Sequence, residues 1–187
     1  MEKRRIKELA KKVAMCLSSI RLIPHLAFYL ANKKMVDTDL SVCEAGDRGL
    51  LWQLTFHRDF RRLFYKRVGW GGYFLEFLAP AQKDFFINSE MPIGSCCKLT
   101  HVHNTHLNAH SIGRNFRLFH NVTIGDSVFP SGTPTIGDNV TVCCGAIIIG
   151  DITIGNNVII AAGAVVTKSV PNNCVVGGVP AKILKRL

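Results

Sequence analysis

The stretch Pro134 to Pro171, PTIGDNVTVCCGAIIIGDITIGNNVIIAAGAVVTKSVP, decides how this chain folds. An aliphatic residue returns there every six positions: Ile136, Val142, Ile148, Ile154, Ile160 and Val166. Four places after each comes a second small or branched residue, at Val140, Ala146, Ile152, Val158, Ala164 and Val170. Upstream, Ile112, Leu118 and Ile124 keep the register, with Phe116, Val122 and Val128 as second members. Gly113, Gly125, Gly137 and Gly155 directly follow an anchor. A helix would repeat near 3.6 residues, so the pattern excludes one. A fixed period sustained this long is a solenoid of short strands.

Further upstream, Ile87, Ile93 and Leu99 enter the same rhythm, and helical periodicity stops before them. The expected boundary therefore lies near residue 86: an N-terminal helical domain over 1–86, then the solenoid with its closing segment over 87–187. The rhythm is disturbed twice. Thirteen residues separate Leu99 from Ile112 where two turns need twelve, and the interval holds His101, His103, His106 and His110. A repeat that breaks where titratable residues cluster marks a functional site. The second disturbance, DSVFPSGTP, puts Pro130 where an anchor belongs and is expected to be a turn drawn out into a loop.

With 187 residues, 48% hydrophobic and 19% charged, the chain is globular. Its net charge of +10 calls for an anionic partner such as a phosphorylated cofactor, a membrane surface or nucleic acid. Nucleic acid has only the charge in its favour, because the basic stretches lack interleaved aromatics for base stacking. No run reaches the roughly 18 uninterrupted apolar residues of a membrane span. The best stretch, Val13 to Ala31, carries Arg21, Pro24 and His25 and lacks the features of a signal peptide, so a cytoplasmic location is expected. The seven cysteines show no C-x-x-C spacing and are expected to be mostly small buried filler.

The N-terminal stretch from Met1 to Lys34 is basic. Lys3, Arg4, Arg5, Lys7, Lys11, Lys12, Arg21, Lys33 and Lys34 stand there against Glu2 and Glu8. Ile6, Leu9, Val13 and Leu17 form one helical stripe, expected to pack on its own domain; the alternative is weak contact with an anionic membrane surface. Asp37 to Gly49 looks like a polar connection. A helical stretch should then run from about Leu50 to Val68, broken near Thr55, with Phe60, Leu63, Phe64 and Val68 inside and a solvated basic stripe outside. Gly69 should stop it. Gly72 to Ala79 should form a last short helix before Pro80.

The repeat, the closing GGVPAKILKRL, the stretch LTHVHNTHLNAHSIGRNFRLFHNVTIGD and the helix LTFHRDFRRLFYKRVG resemble the hexapeptide-repeat acyltransferases. Within them the chain is similar to the serine acetyltransferase-like branch, over about residues 54 to 187. Residues 1 to 45 carry no motif of that branch. The resemblance implies a mainly β fold, a left-handed parallel β-helix preceded by helices, assembled as a homotrimer with sites between subunits. It implies transfer of an acetyl group from acetyl-CoA to a hydroxyl of serine or of a sugar. An alcohol needs a base as it attacks a thioester, and histidine suits that task at neutral pH.

Alignment on Thr105, Ala109 and Ser111-Ile112-Gly113 places the family's catalytic histidine at His101. By the same resemblance His120 hydrogen-bonds the acceptor, while Cys144 and Ala162 offer backbone groups to the pantetheine arm. Thr167, Lys168, Lys182 and Lys185 match positions facing the CoA phosphates. His103, His106 and His110 receive no role, and no metal is expected. Three departures bear on the acceptor. Thr100 stands where serine acetyltransferases have Asp, Phe86 where a carboxylate orients the histidine (Asp84 is close but out of register), and Thr133 where they have a second histidine. The chain also ends at Leu187, without their C-terminal tail. These departures favour a sugar hydroxyl of a surface-polysaccharide precursor over free serine.

Two other classes stay open. A γ-carbonic-anhydrase-like metal enzyme would use His101 and His106, which have the right spacing, but its third ligand is missing between His57 and His101. A non-catalytic β-helix scaffold would have kept the repeat and lost the chemistry.

Overall fold

A computed structural model describes residues 2–43, 49–128 and 131–187. The chain begins with five helices: α1 (Glu2–Ala31), α2 (Lys33–Val42), α3 (Gly49–Phe56), α4 (Arg58–Val68) and α5 (Gly71–Leu78). Helix α1 docks through Ser18, Leu22 and His25, which are buried. Lys11 reaches over the Trp52 ring of α3 on the same side, at 5.2 Å. The stripe expected to pack inward therefore faces outward: Ile6, Leu9, Val13 and Leu17 are 51–75% exposed. The opposite side wins because His25 and Phe28 have partners there. An added Cβ on Gly71 would lie 2.1 Å from the Phe28 ring, so only glycine lets α5 approach α1 this closely. Nor do the interrupting charges rule out a span by length, as the sequence suggested. Ile6–Ala31 is one continuous helix with mean hydropathy reaching 1.5, long and apolar enough to cross a membrane.

The expected connection from Asp37 is helical to Val42, because Val36, Asp39 and Leu40 are drawn into the core. Residues 44–48 of that connection lie outside the described residues. The break between α3 and α4 falls at His57 rather than Thr55, whose hydroxyl donates to Leu51 O inside α3 at 2.7 Å. Gly69 ends α4 with φ 64°.

The basic stripe of α4 is not a solvated face. The Arg67 side chain, 7% exposed, pairs with Asp39 through Nε–Oδ2 at 2.8 Å and Nη2–Oδ1 at 3.2 Å. Its remaining donors reach Ile93 O and Gly94 O, both at 2.6 Å, and Asp39 Oδ1 also accepts from Cys97 N at 2.9 Å. This one ion pair binds α2 and α4 to the start of the repeat. Arg61 is buried as well, and Arg62 bridges to Glu76 at 2.9 Å.

Inside the helices His25 Nε2 meets the Tyr65 hydroxyl at 3.0 Å, and that hydroxyl donates to Ala79 O at 2.5 Å. With its proton committed to Ala79, Tyr65 must accept, so His25 is neutral with hydrogen on Nε2. Burial first, then Arg61 and Arg21, pushes the His25 pKa from 6.5 down to about 4. The folded chain thus resists a proton that the unfolded chain takes up. Stability is expected to be full above pH 6.5 and to fall by about 3 kcal/mol as pH drops to about 4. Urea unfolding of wild type and His25→Gln across that window checks this. The variant should lose most of the pH dependence.

From β1 (Phe85–Ile87) onward the chain climbs as a triangular prism. A five-stranded sheet joins β1 to β3 (Thr105–Leu107), β6 (Thr123–Gly125), β9 (Ile147–Ile149) and β12 (Val165–Val166). The three-stranded sheet is β4 (Ser111–Ile112), β7 (Thr135–Ile136) and β10 (Thr153–Ile154). The third sheet contains β2 (Lys98–Leu99), β5 (Arg117–Leu118), β8 (Thr141–Val142), β11 (Val158–Ile160), β13 (Cys174–Gly177) and β14 (Lys182–Arg186). All pairings are parallel except β13 with β14, which closes the top as an antiparallel cap.

The anchors read from the sequence fill the prism: Leu118, Ile124, Val142, Ile148, Ile154 and Ile160 are fully buried. A regular coil takes three hexapeptides, so Ile136 pairs with Ile154 and Ile148 with Val166. The slip before Ile112 resolves into two opposite changes. Leu107, an anchor off the expected register, pairs with Ile87 below it and Ile124 above it. The coil through His101 is thus two residues too long, and the next is one too short. The loop after Gly125 adds the length of one more hexapeptide to its coil, since Ile124 pairs with Ile148. Val128, expected inward, is fully exposed on that loop. Pro130, and with it the missing anchor, lies outside the described residues.

One corner carries a ladder that the six-residue rhythm did not reveal. Asn115, Asn139, Asn157 and Asn173 all have φ of 56–61° and pass side-chain hydrogen bonds of 2.8–2.9 Å from coil to coil. Asparagine tolerates this left-handed conformation better than most residues. The cysteines are more exposed than expected: only Cys97 and Cys174 are buried, and Cys16 is exposed.

Candidate active site

The chain passes the corner between the six- and five-stranded sheets once per coil, and this corner gathers the candidate residues. Strand β2 ends at Leu99, and the two extra residues of that coil swell the turn that follows. His101 and Asn104 there adopt φ of 50° and 48°. His103 Nδ1 lies 2.8 Å from His101 O; since a carbonyl only accepts, this nitrogen carries a hydrogen. The His103 ring stacks on His120 one coil above, with centroids 4.9 Å apart.

Backbone bonds carry the corner upward. Asn121 N donates to His103 O at 3.0 Å, Gly145 N to His120 O at 3.1 Å and Gly163 N to Cys144 O at 2.9 Å. His101, His120, Cys144 and Ala162 therefore stand along one edge of the prism. Strand β14 brings Lys182 opposite Gly177 at the top of the same edge, with Lys185 opposite Val175. Thr167 and Lys168 do not join them. They follow β12 at the next corner, across the width of the five-stranded sheet, together with the loop after Gly125.

His101 also borders a hollow of about 40 Å³ between prism and helices, shared with Cys43, Gln53, His57, Asp59, Phe60, Leu99 and Thr100. Asp59 brings into it a carboxylate that the repeat itself does not supply. This site residue was missed because it sits on α4, more than 40 positions away in the chain. Thr100 Oγ1 is buried there with no hydrogen-bond partner among the described residues. Asp84 acts on the backbone of the turn: its Oδ2 accepts from Asn104 N at 3.2 Å and its carbonyl from Thr105 N at 2.9 Å. Desolvation opposes its charge, but hydrogen bonds from Gln82, its own backbone and Asn104, aided by His103, hold its pKa below the usual value.

The other histidines diverge. His106 stacks on Phe86 at 4.5 Å on the five-stranded sheet, and His110 lies at the loop corner, where its N–H meets Pro134 O. No group of three His, Cys, Asp or Glu side chains suited to a metal occurs among the described residues.

Residues 133–168 match the family model described as bacterial transferase hexapeptide (six repeats). The fold as a whole is similar to the serine acetyltransferase of Neisseria gonorrhoeae, with TM-score 0.70 and 28% identity over 83% of this chain and 66% of that one. Over residues 133–168 the chain carries the hexapeptide repeat of bacterial transferases, and its fold is similar to that of the serine acetyltransferases. The Neisseria enzyme in complex with serine aligns at TM-score 0.69 and 27% identity, covering 83% of this chain and 70% of that one. Serine acetyltransferase from Brucella abortus strain S19 gives 0.71 and 25%, covering 87% and 74%. The chain spans 66% of the length of the Neisseria chain. Its prism is the left-handed parallel β-helix of that fold.

Proposed function

We propose that the protein is an acetyl-CoA-dependent O-acetyltransferase. The observation that carries this is the shared edge: a histidine turn at one end, then Cys144 and Ala162, then the basic cap of β14. A ligand with a thioester at one end and phosphates at the other fits such an edge. In the reaction His101 takes the proton of the acceptor hydroxyl as its oxygen attacks the thioester carbonyl. The carbon–sulfur bond then breaks, the CoA thiolate leaves, and the proton passes to it. Asp59, which lines the same hollow as His101, is the carboxylate we assign to favour the imidazolium formed on the way. His120, stacked on His103, faces the acceptor.

The working unit we infer is a homotrimer. Thr167 and Lys168 lie a full sheet away from the histidine corner of their own chain, so both sets serve one CoA only if a neighbour brings its loop corner to this edge. Closed three-fold rings allow that with a single repeated contact. A cytoplasmic location, where acetyl-CoA is available, completes the proposal.

Lysine–phosphate attraction is screened by salt. The KM for acetyl-CoA is therefore expected to rise with ionic strength, and Lys168→Ala should raise it at low salt with little change in kcat. A flat salt response together with a silent Lys168→Ala would remove the phosphate site.

Acceptor choice is tested by assaying CoA thiol release over serine and a panel of sugars. Thr100 and Phe86 replace both carboxylates that serine acetyltransferases resembling this chain place near the base, so sugar hydroxyls should outrun serine. Faster turnover with serine would reverse that preference.

A further inference from the structure

The helical region leaves an unusually apolar surface uncovered. On α1 the stripe from Ile6 to Ile20 faces outward, with Leu17 and Ile20 each 75% exposed. On α5, Trp70, Tyr73, Phe74 and Phe77 are 64–88% exposed. The two helices adjoin, with Gly71 of α5 against Phe28 of α1. We propose that α1 and α5 together form an in-plane docking surface for an anionic lipid bilayer.

Three observations select this occupant. The first is that α1 is one-sided. Leu22 and His25 are 1% and 0% exposed, and His25 is tied to Tyr65. Crossing a bilayer would strip that face from its partners, whereas lying in the interface uses only the free face. The second is charge. Between Ile6 and Ala31 the helix carries four basic residues against one acid, Glu8; Lys11 is turned toward Trp52 of α3, which leaves Lys7, Lys12 and Arg21 exposed. A two-fold contact with a second copy would bring two net-positive helices together. Anionic headgroups instead neutralise this charge, and each Lys or Arg near the surface adds to the attraction. The third is the aromatic set on α5. Trp and Tyr concentrate at the headgroup level, where one end of the ring is apolar and the other wet.

The surface stands apart from the histidine corner, and the proposal does not depend on which hydroxyl is acetylated. A membrane-held enzyme would meet lipid-linked acceptors in two dimensions rather than three.

The test is co-sedimentation of the full-length protein with phosphatidylcholine vesicles, with and without phosphatidylglycerol. Wild type, Ile20→Glu and Phe77→Gln are compared, with light scattering for mass and CoA release on a soluble acceptor as controls. Wild type should bind the mixed vesicles and not phosphatidylcholine alone, and high salt should release it. Each variant should bind roughly tenfold less at unchanged mass and unchanged turnover. Both side chains are exposed, so neither change threatens the fold. Absence of binding to mixed vesicles, or equal binding by the variants, overturns the proposal. So does a smaller particle mass for Ile20→Glu, which would assign the face to a second copy of the chain.

Discussion

His101→Ala is expected to lower turnover on the order of 10²–10⁴-fold, the usual worth of a positioned general base. The residue is fixed by backbone geometry: its coil is two residues longer than a regular one, and His101 holds φ 50° in the turn. Asp84 pins the following residues through Asn104 N and Thr105 N. Because the base acts on the acceptor and not on CoA, the KM for acetyl-CoA should change little. His103→Ala separates this assignment from its neighbour in the same turn, whose Nδ1 is held by His101 O. A loss confined to His103 would move the base by two residues, while a loss confined to His101 supports the assignment.

The second large effect is on stability. Asp39→Ala leaves the Arg67 guanidinium buried without its counterion and Cys97 N without its acceptor. Breaking such a buried pair from one side is expected to cost about 3–5 kcal/mol. Urea unfolding at neutral pH measures it. The change should also reach the site, because Arg67 anchors the end of α4 whose beginning supplies His57 and Asp59 to the hollow beside His101. Stability within about 0.5 kcal/mol of wild type, the range of ordinary surface substitutions, would mean that the pair does not hold helices to prism.

Much of the prism was legible because burial leaves its period in the sequence. Ile136 to Val166 are anchors by spacing and buried in fact. Leu107 escaped because a two-residue gain and a one-residue loss nearly cancel, leaving an apparent slip of one. The asparagine corner was open to reading in GRN, GDN, GNN and PNN, since a residue in the left-handed region recurs where each coil turns. The direction of the α1 stripe was not legible. Periodicity shows that a helix has an apolar side, but which side docks depends on contacts such as His25 with Tyr65, 40 positions apart. Asp39 and Asp59 were hidden for the same reason. Neither stands out within its stretch: Asp39 pairs with Arg67 of another helix, and Asp59 lines a hollow with the distant His101.

The same separation explains the split cofactor set. By resemblance Lys168 and Lys182 belong to one ligand, yet the coil carries them to different corners, and the proposed trimer would reunite them. Light scattering at the mass of three chains would agree with that, and a monomer fully active at high dilution would not.

The most direct test of the central claim is continuous detection of free CoA thiol from acetyl-CoA with the purified full-length chain, with and without a hydroxyl acceptor, alongside mass analysis of the acceptor. Thiol release is expected to depend on acceptor, match the acetyl ester formed and disappear with His101→Ala. Folded protein that releases no thiol with serine or any sugar tried, or releases it equally in the variant, would contradict it.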